Sequence, residues 1–416
     1  MKVGNPQYRG DEVPLPIEVL DLICHFVKTA QHAKSQSTLA AGTLVSKSWC
    51  SIFTRHLYEQ PLIVPGNFDA FTRTICTTVT AKTKRVGLET YVKHLDLSKI
   101  AYESSKSLTA RLIGRTSHSL EYFAAPAITF GIGSLAPLSK SLNLRVLDLS
   151  HDGYQIKLNR ILDSVSRLEH LIELRLPTDA AGDGAECHFP TGCWPKRLEV
   201  LQLSLKMCIY VHLHVRWWDE FLSSLPASLG TLIIPDFLSY HSFYICKDIQ
   251  VSAKSITRLE LGRAKDDDCI AHLPYFLACF PSLTTLTVPV TIRIALADLN
   301  LDHWFDDDMW ETLYHPGGAL ANSDQSIQRN SLVKELTFSL PPTSVAFGFH
   351  GSINMDVFFL KAIVASFPLL QRVNIPIGSI KILDEDDNQD ELQEICQILE
   401  SRAPSDESQY AGIFQD

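Results

Sequence analysis

Positive charge is in short supply: 37 Lys and Arg stand against 47 Asp and Glu in 416 residues, a formal net charge of −10. Nucleic-acid backbones are held by concentrated basic stripes, and no such stripe is present, so nucleic acid is not an expected partner. No apolar run reaches the roughly 20 residues of a membrane-spanning helix, and the opening residues MKVGNPQYRGDEV lack an apolar signal core. No membrane partner is expected, and the chain reads as cytoplasmic or nuclear. The ten cysteines lack paired spacing. Cys187, His188 and Cys193 miss the Cys-x-x-Cys pairs of a structural zinc site, while Cys24, Cys208 and Cys279 lie inside apolar patterns and read as reduced core thiols. His212 and His214 share one side of an alternating stretch, for which a solvent-facing strand edge is the plainer reading than a metal site. No nucleophile, base and orienting residue fall together, so no catalytic residue, metal ligand or cofactor is expected.

What the chain does have is one phrase repeated: an apolar residue, two variable residues, then Leu-x-Leu or a close substitute. It reads VKHLDL at Val92, LRVLDL at Leu144, LIELRL at Leu171, LEVLQL at Leu198, LGTLII at Leu229, ITRLEL at Ile256 and LTTLTV at Leu283. Weaker copies begin at Leu120, Val333 and Leu370. The central apolar residues of the first eight copies fall at 95, 123, 147, 174, 201, 232, 259 and 286, intervals of 24 to 31. A steady period in the twenties means stacked units, each too small to hide its own apolar row. Within each copy the alternation puts two apolar residues on one face of a strand and polar ones on the other. Between copies the period shifts to 3.6, as in Lys157 to Leu171, where Ile161, Leu162, Val165 and Leu168 form one stripe. Trp217 to Leu225, His272 to Phe280 and Val357 to Phe367 occupy the corresponding place. Strand, crossover helix, parallel strand is the expected unit. Pro126, Pro177, Pro235, Pro289 and Pro376 follow the strands and are expected to end them.

The repeats resemble the leucine-rich-repeat family from about Leu62 to Ile382. The resemblance implies an α/β horseshoe, a curved parallel sheet of ten or eleven strands with helices on the convex side, the first strand irregular at Leu62 to Val64. One departure stands out: the Asn or Cys expected three residues after the second strand Leu is replaced by Ile100, Asp152, Asp179, Lys206 and Ala264.

Ahead of the repeats, residues 14–23 read PLPIEVLDLI and residues 44–58 read LVSKSWCSIFTRHLY. Each carries an apolar stripe at helical spacing, with a polar stretch, Ala33 to Thr38, between. Two short helices are too little to stand alone and want a partner. Their wording is similar to the F-box: Leu15, Pro16, Glu18, Leu20 and Ile23, then Val45, Lys47 and Trp49, closing on Leu57 and Tyr58. The division expected is an F-box at 12–60, a repeat solenoid at 61–382 with an inserted loop around 291–330, and an acidic linker, terminal helix and tail at 383–416.

The two resemblances together imply a non-catalytic substrate receptor of a cullin-type ubiquitin ligase. Leu15, Pro16, Leu20, Ile23, Val45 and Trp49 would contact a Skp-type adaptor or support those contacts, and through it a cullin. A repeat scaffold or ligand sensor with no ligase attached is the other reading. A protein target is expected on the concave sheet, where outward residues form two columns, one from His94 to Arg372 and one from Asp96 to Asn374. Tyr122, Arg175, Arg258 and Arg372 are the expected anchors, because Tyr and Arg dominate binding energies. Trp304 and Trp310, in the inserted loop, belong either to a lid on the solenoid or to a second target patch.

Overall fold

The computed structural model describes residues 15–30, 32–76, 87–100, 106–151, 156–177, 189, 192–203, 215–236, 252–263, 277, 279–289, 332–339, 357–375, 389–404 and 411–415. They open with three helices, α1 (Ile17–Ala30), α2 (His32–Gly42) and α3 (Lys47–Glu59). The polar stretch expected to link two helices is therefore the body of a third. Ser35 and Leu39, one turn apart, are buried while Lys34, Ser37, Thr38 and Ala40 are exposed, a stripe too narrow to register as a period. Cys24, Leu39 and Phe53 form the core of this head, with Ile23, Val27, Trp49, Ile52 and Leu57 packed around them. Gly42 lies against the Phe53 ring, which a Cβ there would overlap. Ser46 caps α3 by accepting the Trp49 N–H at 3.3 Å.

Residues 62–64 are not the irregular strand expected. They lead into α4 (Pro65–Ile75), and the Asn67 side chain consumes their ladder groups, accepting from the Val64 N–H (2.9 Å) and donating to the Leu62 carbonyl (2.8 Å). Proline at the first helical position then starts the helix without forfeiting a hydrogen bond.

Among the described residues the repeats form one sheet of eleven strands, all parallel and in chain order. These are β1 (His94–Asp96), β2 (Tyr122–Ala124), β3 (Val146–Asp148), β4 (Glu173–Arg175), β5 (Val200–Gln202) and β6 (Thr231–Asp236). β7 (Arg258–Arg263), β8 (Thr285–Pro289), β9 (Glu335–Ser339), β10 (Arg372–Ile375) and β11 (Gly412–Gln415) complete it. The repeat's central residues align strand to strand, Leu95 with Phe123, then Leu147, Leu174, Leu201, Leu232, Leu259, Leu286, Leu336 and Val373. All ten are buried. This is the α/β leucine-rich-repeat architecture that the period dictates.

Helices α5 (Lys106–Thr116), α6 (Ile132–Leu138), α7 (Leu158–Val165), α8 (Val215–Ser224), α9 (Val357–Ser366) and α10 (Gln389–Arg402) lie along the chain between strands. The stripe of Ile161, Leu162, Val165 and Leu168 is buried as its spacing requires, within one continuous core. Most of His272 to Phe280 lies outside the described residues, as does the inserted loop at 291–330.

Three features depart from expectation. The sheet runs past residue 382: the tail pairs as β11, in register from Arg372 with Gly412 to Ile375 with Gln415. Gly412, at φ 125°, takes a backbone conformation that other residues rarely adopt and delivers its N–H to the Gln371 carbonyl at 2.9 Å. Pro289 is the last residue of β8, as expected, but Pro235 does not end its strand and lies within β6. Pairing resumes at Asp236 with Arg263 because Gly262, opposite Pro235, leaves room for the Pro235 carbonyl where any Cβ would collide. Finally, Ile100 stands where a buried Asn is usual, and it is buried as an apolar residue.

Candidate functional site

Two surfaces stand out, one on the helical head and one on the sheet. In the head, α1 carries two apolar stripes. Cys24 and the half-buried Ile23 and Val27 face the core, Leu20 is buried one turn before Cys24, and Trp49 of α3 stacks on Phe53 at 4.8 Å. Leu20 is 1% exposed, so it supports the fold and offers nothing to a partner. The second stripe, Val19, Leu22 and Phe26 with Leu15 and Ile17 at the start, is exposed, as are Leu44 (87%) and Val45 (62%) in the turn before α3. Pro16 is exposed beside Leu15, its carbonyl accepting the Val19 and Leu20 N–H groups that begin α1. Of the six head residues read from sequence, Leu15, Pro16 and Val45 thus stand at the surface, Ile23 and Trp49 half-buried beneath. Val19, Leu22, Phe26 and Leu44 were missed, although the spacing 19, 22, 26 is a helical stripe in plain view. Apolar side chains left in water on this scale make a candidate interaction surface.

The head is joined to the repeats by a polar knot around Glu59, at the end of α3. Its carboxylate receives Lys28 of α1 at 2.8 Å and Lys93, just before β1, at 3.6 Å, and Lys93 also reaches Glu121 at 3.2 Å. Its carbonyl accepts the Lys93 N–H at 3.0 Å. His56, one turn earlier, donates Nε2–H to Asp21 at 2.7 Å, and its Nδ1 lies 3.6 Å from Glu59. The hydrogen bond from His56 holds the Asp21 carboxyl below its ordinary range. Burial opposes ionisation of Glu59, but the Lys28 hydrogen bond and the cations outweigh it and lower its pKa.

On the sheet, the face turned from the helices carries the two outward columns, and register decides which charges are spent. Arg175 donates to Glu173 at 2.7 Å and to Asp148 on β3 at 3.3 Å. Asp148 is buried and also takes the Ser150 N–H (2.9 Å) and hydroxyl (2.6 Å). Burial works against the Arg175 charge, yet Glu173 and Asp148 raise its pKa. Asp96 accepts the Ser98 N–H at 2.9 Å. At the far end Arg372 donates to Asn374 (2.8 Å), lies 3.8 Å from Glu335 and sits 4.3 Å from the Phe414 ring centre. Asn374 in turn donates to Glu335 and Thr337, both at 2.9 Å. Tyr122 stacks flat on His94, rings 4.0 Å apart, and burial pushes the Tyr122 pKa up and that of His94 down, so the pair is an uncharged aromatic plate at neutral pH. Arg258 is exposed and, among the described residues, its side chain has no hydrogen-bond or ion-pair partner, nor has that of Glu260. Trp304 and Trp310 lie outside the described residues.

No group of three or more metal-binding side chains occurs among the described residues, and no helix among them is long and apolar enough to cross a membrane. Burial raises the Cys24 and Cys193 thiols to about 11 and Cys279 to about 12, keeping them protonated and unreactive at neutral pH.

No protein-family model matches the chain. Over 202 residues, 46% of this chain, it is 27% identical to F-box protein YDR306C of Saccharomyces cerevisiae. The chain is similar to an F-box protein. It is also 28% identical over 242 residues, 56% of its length, to Protein pof5 of Schizosaccharomyces pombe. The matches span only 40% and 61% of those two relatives. The three helices of the head fit an F-box module. Among solved structures, the leucine-rich repeat-containing protein LegL7 from Legionella pneumophila covers 76% of this chain and 92% of its own at TM-score 0.41 and 14% identity. Rad7 in its yeast complex with Elc1 gives 71% and 66%, TM-score 0.36 and 12% identity. At those scores the repeat assignment rests on this chain's own strand order and register.

Proposed function

We propose that the chain is the substrate-recognition subunit of a cullin-type ubiquitin ligase. The F-box-like head docks on a Skp-type adaptor, and the outward face of the sheet holds a protein target for modification. The observation that carries this reading is the second apolar stripe of α1 together with Leu44 and Val45, left in water by a head whose own core is complete without them. The similarity to F-box protein YDR306C supports it. The chain itself supplies no chemistry in this role; holding the target beside a ubiquitin-loaded enzyme raises the effective concentration of the reacting groups.

Leu44→Ala with Val45→Ala is expected to abolish capture of purified Skp-type adaptor, because truncating central apolar contacts costs about 2 kcal/mol or more per hot spot. Both residues are exposed, so the melting temperature should not move. Leu15→Ala with Pro16→Ala is the parallel test at the start of α1. Full adaptor capture by both folded double mutants would favour the ligase-free scaffold instead.

A further inference from the structure

We propose that the target is gripped at the middle of the sheet, over β5 to β8, by a polypeptide segment carrying an acidic and a basic side chain about 7 Å apart, the acid on Arg258 and the base on Glu260. This rests on the receptor reading above and names the chemistry of its target.

Every other charged residue of the two outward columns in the described strands is already committed, to an ion pair or to a main-chain N–H. Arg258 and Glu260 are the exceptions, and they sit on one strand, two residues apart, on the same face. Neighbouring strands give them no opposite charge. Arg258 lies between Thr231 and Thr285, and Glu260 between Ile233 and Thr287. Beyond them β5 adds Val200 and Gln202, also uncharged. Two opposed charges are thus presented side by side, unpaired with each other and framed by hydroxyl and aliphatic groups.

Residues two apart on a strand are separated by roughly 6.6 to 7 Å, from about 3.3 Å of rise each. A complementary pair at that separation occurs two residues apart in an extended peptide, or four apart in a helical one at about 1.5 Å per residue. Fixed opposite charges select register and orientation, since a reversed segment meets like charges twice.

The test selects displayed random peptides on the purified full chain and on the exchanged variant Arg258→Glu/Glu260→Arg. Peptides enriched on the natural chain are expected to carry an acid and a base at one of those spacings. They should bind the exchanged variant about tenfold more weakly or worse, and recover when the peptide's own acid and base are exchanged. Arg258→Gln/Glu260→Gln provides a second variant should the exchange fail to fold, with the same loss expected. Selected peptides that bind natural and variant chains within about twofold, or no enrichment at all, overturn the proposal. So does competition by free Glu-Gly-Lys as strong as by a whole selected peptide, which would make the occupant a small zwitterion. Purified Skp-type adaptor is offered to the same variants: its capture should be unchanged, whereas failure of the natural chain to capture it counts against the ligase reading and leaves the peptide result standing.

Discussion

Arg175, Arg258 and Arg372 share a face of one sheet, yet only one of them is available. Arg175 neutralises Asp148, a carboxylate folded almost entirely out of water. Arg175→Ala is therefore expected to lower the urea midpoint, by about 1 to 3 kcal/mol of stability, because a buried acceptor loses its cation. Arg258→Ala should leave the midpoint unchanged, having no partner to strand. The difference was not legible in the sequence: three arginines on the same outward face look alike until register brings Asp148 beside Arg175 and Glu335 beside Arg372. Asp21 and Glu59 predict an acid limb. Their ordinary values are 3.8 and 4.5, and both are lowered in the fold, so their contribution is complete above those values and is lost as pH falls through the lower folded ones. The melting temperature should hold steady from pH 7 to about 5 and fall below about 4. Glu59→Gln should lower it at pH 7 and flatten the acid limb.

Elements differ in how plainly they declare themselves. Ten strands were legible because the same alternation recurs at nearly the same interval, so each copy vouches for the others. β11 was not, since Gly412–Gln415 is four residues long and follows Val373 only after a whole helix. The helix α2 was hidden by its solvated surface, and the outer stripe of α1 by the inner one beside it. Two elements carry predictions of their own. Gly262→Ala should cost about 1 to 3 kcal/mol, as overpacking does, because the obstruction is the Pro235 main chain and not a side chain that can swing aside. Removing residues 405–416 takes β11 away and leaves the long edge of β10 unpaired. Size-exclusion chromatography should then show self-association, the usual fate of an open strand edge.

At the scale of the molecule, one apolar core runs from Ile63 to Leu399, so damage is not confined to the repeat where it occurs. Leu201→Ala, in the middle of the row, is expected to cost about 2 to 5 kcal/mol. Leu20→Ala should cost a similar amount, but in the head, whose separate small core makes adaptor capture fail while the repeats keep their circular dichroism. Between those two cores stands Glu59, which holds Lys93 through both its side chain and its main chain while also holding Lys28. A receptor hinged at this point would sweep its cargo through an arc and present many lysines in turn. Clamped here, the proposed receptor would act as a bracket, and the register in which a target is seated would decide which of its lysines comes within reach.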